Sequence, residues 1–325
     1  MRAPLAALPS AVRPKRVLLW HVHGSYATAL VRGPHTYYFP VLPGRGEDGR
    51  GRAQTWTWPS NAVEVRPEDA RALDVDVVIA QRPREIDGLI YEWLGRVPGS
   101  DVPAIYLEHN APQGRIADMR HPFADRPDLT IVHVTHFNAL FWECGSTPVR
   151  VIEHGIVDPG YRYTGELPRG AVAINEARRR GRVTGTDLLP KLSAALPLDL
   201  FGIDAGALGG HDDPPQALLH VEMPRRRAYV HPMRWTSLGL SLLEAMHLGM
   251  PVVALATTEA VEAVPPGCGT VSTDIERLCA ALRRYARDRD AARADGARAR
   301  TYVRERYGLD RFLRAWDALL SEVSP

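Results

Sequence analysis

The sequence predicts an α/β protein built from two doubly wound domains. Three observations carry this reading. Short, nearly unbroken apolar runs recur along the chain, among them RVLLW at 16–20, VDVVIA at 75–80, LTIVHV at 129–134 and PVVAL at 251–255. Such runs are typical of parallel strands buried on both faces. Stretches with helical periodicity separate them, giving the alternation of βα units. The chain has 325 residues, enough for two domains of ordinary size.

Composition narrows the class. Formal net charge is +2 and apolar content is 45%, which leaves no electrostatic footprint for nucleic acid as the main partner. The sequence holds no run of about 18 apolar residues, so no transmembrane helix is predicted. Residues 1–14 contain Arg2, Arg13 and three prolines but no long apolar core. They read as a loose tail rather than a signal peptide. Cys144, Cys268 and Cys279 are odd in number and lack metal-ligand spacing, as expected of a reduced, cytoplasmic protein. Of the 40 Lys and Arg residues, only Lys15 and Lys191 are lysines. Whatever commonly needs a lysine must use another group here. The bias toward arginine, alanine and glycine points to a GC-rich bacterial genome.

The first strand, Arg16–Trp20, runs into His21-Val22-His23-Gly24-Ser25. A strand opening into a glycine turn begins a doubly wound domain, and ligands gather at the carboxyl ends of such strands. Gly24 and Ser25 are therefore candidates, although there is no full G-x-G-x-x-G and a plain tight turn is the alternative. His21 and His23 share a face with no third metal ligand nearby. Residues 33–63 look irregular, broken by Gly44-Arg45-Gly46 and Gly49-Arg50-Gly51-Arg52. Tyr37, Tyr38, Trp56 and Trp58 are expected either to wall a ligand or to pack on their own domain. A short helix is expected over Glu68–Leu73. Asp74-Val75-Asp76 spells a D-x-D metal motif but sits at the start of a strand rather than in a loop after one, so metal binding is not expected. Arg82 follows that strand at its carboxyl end, and Ile86–Leu94 is helical. The strand Pro103–Leu107 ends in Glu108-His109-Asn110. His109 there can hydrogen-bond a ligand or support developing charge, or it can satisfy loop carbonyls; Asn110 is the weaker neighbour. Thr135 caps a helix through Trp142, and Val149–Glu153 is a further strand.

Pro159, Gly160, Gly165 and Pro168 mark a domain boundary around residues 160–168. Ala171–Asn175 opens the second domain. Arg178, Arg179, Arg180 and Arg182 follow, then a helix from Asp187 whose N-terminus at Thr184-Gly185-Thr186 offers free N–H groups. Arg178 and Arg179 are read as solvated surface. Leu198–Gly202 is a strand, Gly206–Pro215 a loop and Ala217–Arg225 a short helix. Arg225-Arg226-Arg227 reads as a solvated helix end. The most informative stretch is Tyr229–Leu255. It holds a short strand, Tyr229 and Val230, and a loop with Thr236, Ser237 and Gly239. A helix follows with Leu242, Leu243, Met246 and Leu248 on its apolar face, and Pro251–Leu255 is the next strand. Gly249 ends the helix and Pro251 blocks its continuation. The loop presents backbone N–H groups at a helix N-terminus, a ready anion site. Glu244 lies within that helix. Val271 is the last strand, and helices over 275–288, 291–304 and 307–322 close the chain, the last with Phe312, Trp316 and Leu319 on one face.

Tyr229–Leu255 resembles the donor-binding signature of retaining GT-B glycosyltransferases, in particular glycosyltransferase family 4. Leu238-Gly239-Leu240, Glu244-Ala245-Met246, Gly249, Pro251, Val252 and Val253 match it, and His154-Gly155-Ile156-Val157-Asp158 is a looser version of a second family segment. The resemblance implies the GT-B fold, two Rossmann-like domains facing across a cleft. The domains would be 15–163 for the acceptor and 164–305 for the nucleotide-sugar donor, with 306–325 a helix returning to the first. It implies that Glu244 binds the nucleotide ribose and that Arg182, Thr186, Gly239, Leu240, Ser237, Thr236, Gly24 and Ser25 belong to the donor site. His109 is the catalytic candidate, and His23, Arg82 and Asn110 are acceptor candidates. Three departures stand out. The first family glutamate, which contacts the donor sugar, is Thr236 here. The family's phosphate-binding lysine falls near Thr184 or Gly185, and its strand-end arginine at Asn175.

The resemblance implies a retaining, metal-independent transfer from a nucleotide-diphosphate sugar, with no cofactor, to an acceptor the sequence does not identify. Peripheral membrane contact is left open. Thr236 and the missing lysine motivate a second reading, a non-catalytic nucleotide- or partner-binding relative. The third is a nucleotide-sugar 2-epimerase of the same fold.

Overall fold

The computed structural model describes residues 13–325; of the tail expected over 1–14, residues 1–12 lie outside the described residues. Two parallel sheets organise the chain. The seven-stranded sheet comprises β1 (Arg16–Leu19), β2 (Thr36–Pro40), β3 (Ala62–Val65), β4 (Val77–Ala80), β5 (Ala104–Glu108), β6 (Leu129–His133) and β7 (Val149–Val151), in the order β3-β2-β1-β4-β5-β6-β7. The six-stranded sheet comprises β8 (Leu167–Ala173), β9 (Leu198–Gly202), β10 (His211–Asp212), β11 (Arg226–His231), β12 (Val252–Leu255) and β13 (Gly269–Ser272), in the order β10-β9-β8-β11-β12-β13. In each sheet the strand order reverses beside the first strand of the set, at β1/β4 and at β8/β11. These switch points are where doubly wound sheets open a crevice for ligands.

Compact units divide the chain into 1–106 with 313–325, and 107–312. The first unit holds α1 (Gly24–Leu30), α2 (Pro67–Ala70) and α3 (Ile90–Leu94), the last entered through a π-helical turn at Glu85–Leu89. The second holds α4 (His136–Phe141), α5 (Ala177–Arg180), α6 (Leu189–Ala195), α7 (Gln216–Glu222), α8 (Leu240–Leu248), α9 (Ala260–Ala263), α10 (Ile275–Arg287) and α11 (Arg289–Arg306). The final helix, α12 (Leu309–Val323), belongs to the first unit from Leu313 onward. There Trp316 donates its indole N–H to the Tyr26 hydroxyl at 3.0 Å, and Asp317 pairs with His35 at 2.9 Å. No described helix is long and apolar enough to cross a membrane.

Four expectations are corrected. The stretch read as irregular contains β2 and β3, with Tyr37 and Phe39 fully buried. The aromatics that disguised a loop are the inward face of a parallel strand, and Trp58 packs beside them, 4.6 Å from the Phe39 ring. The strand expected from Val75 begins at Val77, because Arg16 engages both Asp74 and Asp76. The helix expected to start at 184–187 is two 3-10 turns, Gly181–Thr184 and Thr186–Leu188, before α6. Arg226 and Arg227 are not a solvated helix end: they are buried in β11. Arg226 is satisfied by Asp199 and Glu222. Arg227 donates to the carbonyls of Gly165, Tyr285 and Ala286, the last two in the final turn of α10, where a cation also suits the helix dipole.

Two predictions follow from this packing. Arg227→Ala strands buried carbonyls without donors and should cost about 3 kcal/mol; a urea midpoint equal to that of the parent protein would refute the role. Burial also lowers the pKa of His133 to about 3, and of His231 and His247 to about 4. An unfolded histidine titrates near 6.5, so between that pH and about 4 the unfolded chain binds more protons. Stability should therefore be highest above pH 6.5 and fall by about 1.4 kcal/mol per pH unit for each of the three as pH drops. Urea midpoints that coincide at pH 7 and pH 5 would contradict this.

Candidate functional site

The second unit builds its site at the β8/β11 switch point from two loops that leave those strands. The first runs from Ile174 to Leu188 and the second from Pro232 to Gly239. They are knitted at the backbone: Arg234 N and Trp235 N both donate to Val183 O, at 2.9 and 3.2 Å. Gly185 makes this approach feasible. It has φ +72°, and a Cβ there would collide with the Pro232 carbonyl. Asn175, at the strand end, accepts from Ile203 N through its side chain at 3.1 Å.

α8 starts at Leu240 with Gly239 as its cap and stops at Gly249 in the left-handed region, φ 89°. Gly239 has a neighbour that excludes a side chain: the buried His231 ring lies 2.8 Å from where a Cβ would be. Glu244, 6% exposed, is held from α7 on two sides. Gln216 Nε2 donates to Oε1 at 2.8 Å, and His220 Nε2 lies 3.3 Å from Oε2. The carboxylate is thus fixed in position at the amino half of the helix. Ser237 is buried, with its hydroxyl 3.5 Å from that of Thr135, which caps α4 by accepting from Asn138 N. Thr236 and Leu240 are half-buried beside it. Thr186 donates its hydroxyl to Ala177 O at 2.8 Å.

The arginines divide sharply. Arg179 pairs with Glu176. Arg182 is exposed and pairs with Asp187 at 2.9 Å. Asp187 is shared with Arg234, which also donates to Arg182 O at 2.8 Å. Hydrogen bonding from Arg234 holds the Asp187 carboxyl below the usual range. Arg180 differs: it is half-buried, burial lowers its pKa, and its guanidinium makes no hydrogen bond or ion pair among the described residues. Arg180 and Arg234 are the groups that sequence reasoning did not single out. Only the carboxylate partners of their neighbours, which the fold supplies, set them apart from the rest of the arginine run.

His109 is half-buried in the loop after β5. Glu108, buried, accepts from Asn110 N at 2.7 Å and from His121 Nε2 at 3.3 Å, while Trp142 donates its indole N–H to Asn110 O at 2.8 Å. Asn110 itself is exposed.

The remaining candidates belong to the first unit and its own switch point. Gly24 is the first residue of α1, where a side chain would run into the Trp56 ring. Ser25 follows, and His23 is exposed at the helix cap. Gln81 bridges the ends of β1 and β4 by donating to Trp20 O at 2.7 Å. Arg82 is occupied by carboxylates: Glu85 at 2.7 Å, Glu47 at 3.2 Å and Asp48 at 3.3 Å. A cavity of about 760 Å³ beside β13 and α10, lined by residues such as Val261, Pro266 and Arg277, shares no residue with either switch point.

Comparison with known proteins places this geometry. Residues 214–288, which run from α7 through β11, α8, β12 and β13 to the end of α10, match the family described as Glycosyl transferases group 1. No curated protein matches the chain in sequence. Among solved structures, the chain is similar to a sucrose-phosphate synthase from Thermosynechococcus elongatus, with 13% identity, a TM-score of 0.68, and 95% of this chain and 98% of that one covered. It is similar to HepE of Anabaena in complex with UDP, with 12% identity, a TM-score of 0.65, and 95% and 100% covered. A glycosyltransferase from Rickettsia africae gives 13% identity, a TM-score of 0.62, and 95% and 98% covered. The fold is that of the GT-B glycosyltransferases, with two Rossmann-like domains.

Proposed function

We propose that the protein is a glycosyltransferase that takes its sugar from a nucleotide-diphosphate donor. The observation that carries this reading is Glu244. The match to glycosyl transferases group 1 runs through its helix, and the carboxylate is buried and oriented by Gln216 and His220 beside a switch point. A fixed, acceptor-only carboxylate suits the paired hydroxyls of a ribose. The solved structure of HepE contains UDP, which supports a nucleotide donor here.

In this reading the transfer is retaining and needs no metal. Departure of the nucleoside diphosphate is the charge-developing step, and fixed positive charge is the main lever on it. Arginines take the place of the missing lysine. Arg180 makes no ion pair with a carboxylate among the described residues, Glu176 being engaged by Arg179, and Arg234 and Arg182 stand around Asp187. Guanidinium groups stay protonated and pair with phosphate oxygens in a fork. Thr236, where the resembling family has a glutamate, contributes a neutral group to the sugar side. His109 is the candidate on the reacting side. The acceptor candidates are His23 and Arg82 at the switch point of the first unit, and Asn110, beside His109, in the second unit.

The non-catalytic reading rests on Thr236 and the absent lysine; a nucleotide-binding relative would bind as well, so release of sugar from the nucleotide-sugar conjugate, expected only of the enzyme, separates it. Calorimetric titration with UDP, GDP, ADP and dTDP should give one diphosphate that binds. Glu244→Gln, which keeps the shape but removes the charge, should weaken it about tenfold or more, near 1.4 kcal/mol; unchanged affinity would refute the ribose role. Arg180→Ala should weaken the diphosphate about tenfold and leave the bare nucleoside nearly unaffected, with Arg182→Ala smaller because Asp187 already engages that charge. Equal losses for diphosphate and nucleoside would remove Arg180 from the phosphate site.

A further inference from the structure

Trp235 lies in the loop that knits the switch point, between Arg234 and Thr236. Its indole reaches the loop that carries His109 and donates Nε1–H to Pro112 O at 2.8 Å. The ring is packed edge-on against two aromatics of α4, Phe137 at 5.3 Å and Phe141 at 6.0 Å between centroids. The loop it reaches has two further clamps, both already made within its own neighbourhood: Glu108 on Asn110 N and Trp142 on Asn110 O. His121 completes the first clamp. Its Nδ1 accepts from Phe123 N at 3.1 Å, so Nε2 carries the proton that faces Glu108. The segment around His109 is therefore held at its near end by Glu108 and Trp142, and at its far end Pro112 O is tied to the loop before α8 by the Trp235 indole N–H.

We propose that Trp235 is a positioning residue that couples occupation of the Glu244 site to the placement of His109. This rests on the glycosyltransferase reading above. A ligand that orders the Arg234–Gly239 loop also orders Trp235, and through Pro112 O it fixes the His109 segment. The ring contacts with Phe137 and Phe141 preset the indole, so little rotamer freedom remains to be lost when the loop is ordered.

Trp235→Phe tests the coupling, since it keeps an aromatic ring against Phe137 and Phe141 and removes the donor together with one ring of the indole. Amide hydrogen exchange is followed over 108–113 and 232–244, without ligand and with UDP, GDP, ADP or dTDP. In the parent protein the binding diphosphate should slow exchange in both segments. In Trp235→Phe it should slow only 232–244. Hydrolysis of UDP-glucose, used as the turnover probe, should then show kcat about tenfold lower with KM within twofold, a split that general loss of structure would not give. Protection of 108–113 that survives in Trp235→Phe overturns the proposal, as does its absence in the parent protein once 232–244 is protected. If no diphosphate protects either segment, the functional reading fails. The unliganded comparison then decides the link alone: faster exchange at 108–113 in Trp235→Phe supports it, and unchanged exchange overturns it.

Discussion

The close approach of the β8 and β11 loops is the constraint on which the candidate site depends. Two backbone N–H groups converge on Val183 O, and only a residue without a Cβ fits at 185 under the Pro232 carbonyl. That contact fixes where Arg180, Arg182 and Asp187 stand relative to the start of α8. A side chain at 185 would have to push the loops apart, and the positive φ would add strain of its own. The chemistry is borne by charged side chains, but a glycine and a carbonyl decide whether those side chains share a site.

Around that point the protein solves a problem of charge. A switch point that gathers arginines needs carboxylates to keep the empty site from repelling itself, yet each carboxylate competes with an anionic ligand. Asp187 serves two arginines and Glu176 a third, while Arg180 has none. A half-buried guanidinium without a hydrogen-bonded carboxylate has lost part of its hydration, and Glu176, already engaged by Arg179, offsets only part of that cost. In the glycosyltransferase reading proposed above, a bound diphosphate would return the remainder. Elsewhere in the second unit arginines do structural work: Arg226 and Arg227 stitch the start of β11 to α7 and α10.

Much of this was legible in the sequence where local pattern and tertiary role agree. The strand–loop–helix–strand run from Tyr229 to Leu255 was readable because Gly239, Gly249 and Pro251 punctuate it and its apolar spacing is regular. Legibility failed where one residue type serves opposite purposes. Tyr37 and Trp58 were ambiguous because aromatics populate ligand walls and cores alike, and β2 was hidden among glycine breakers. Arg226 and Arg227 looked solvated because, Glu222 apart, their partners lie about thirty to sixty residues away in the chain. Arg180 could not be told from Arg182, since what separates them is Asp187. Trp235 carried no signal at all, because Pro112 is 123 residues distant.

The first compact unit is discontinuous in the chain, and this has a consequence for how the protein is made. Tyr26 and His35, near the beginning, find their partners in Trp316 and Asp317, 290 and 282 residues later. Translation is vectorial, so the earlier part of this unit must wait with the face meant for α12 uncovered until residues 107–312 have been made. The second unit, contiguous from 107 to 312, is free to fold during that wait. Emergence of residues 313–325 from the exit tunnel would then be the event that closes the first unit, and a ribosome stalled before they emerge would leave an apolar surface for chaperones to hold.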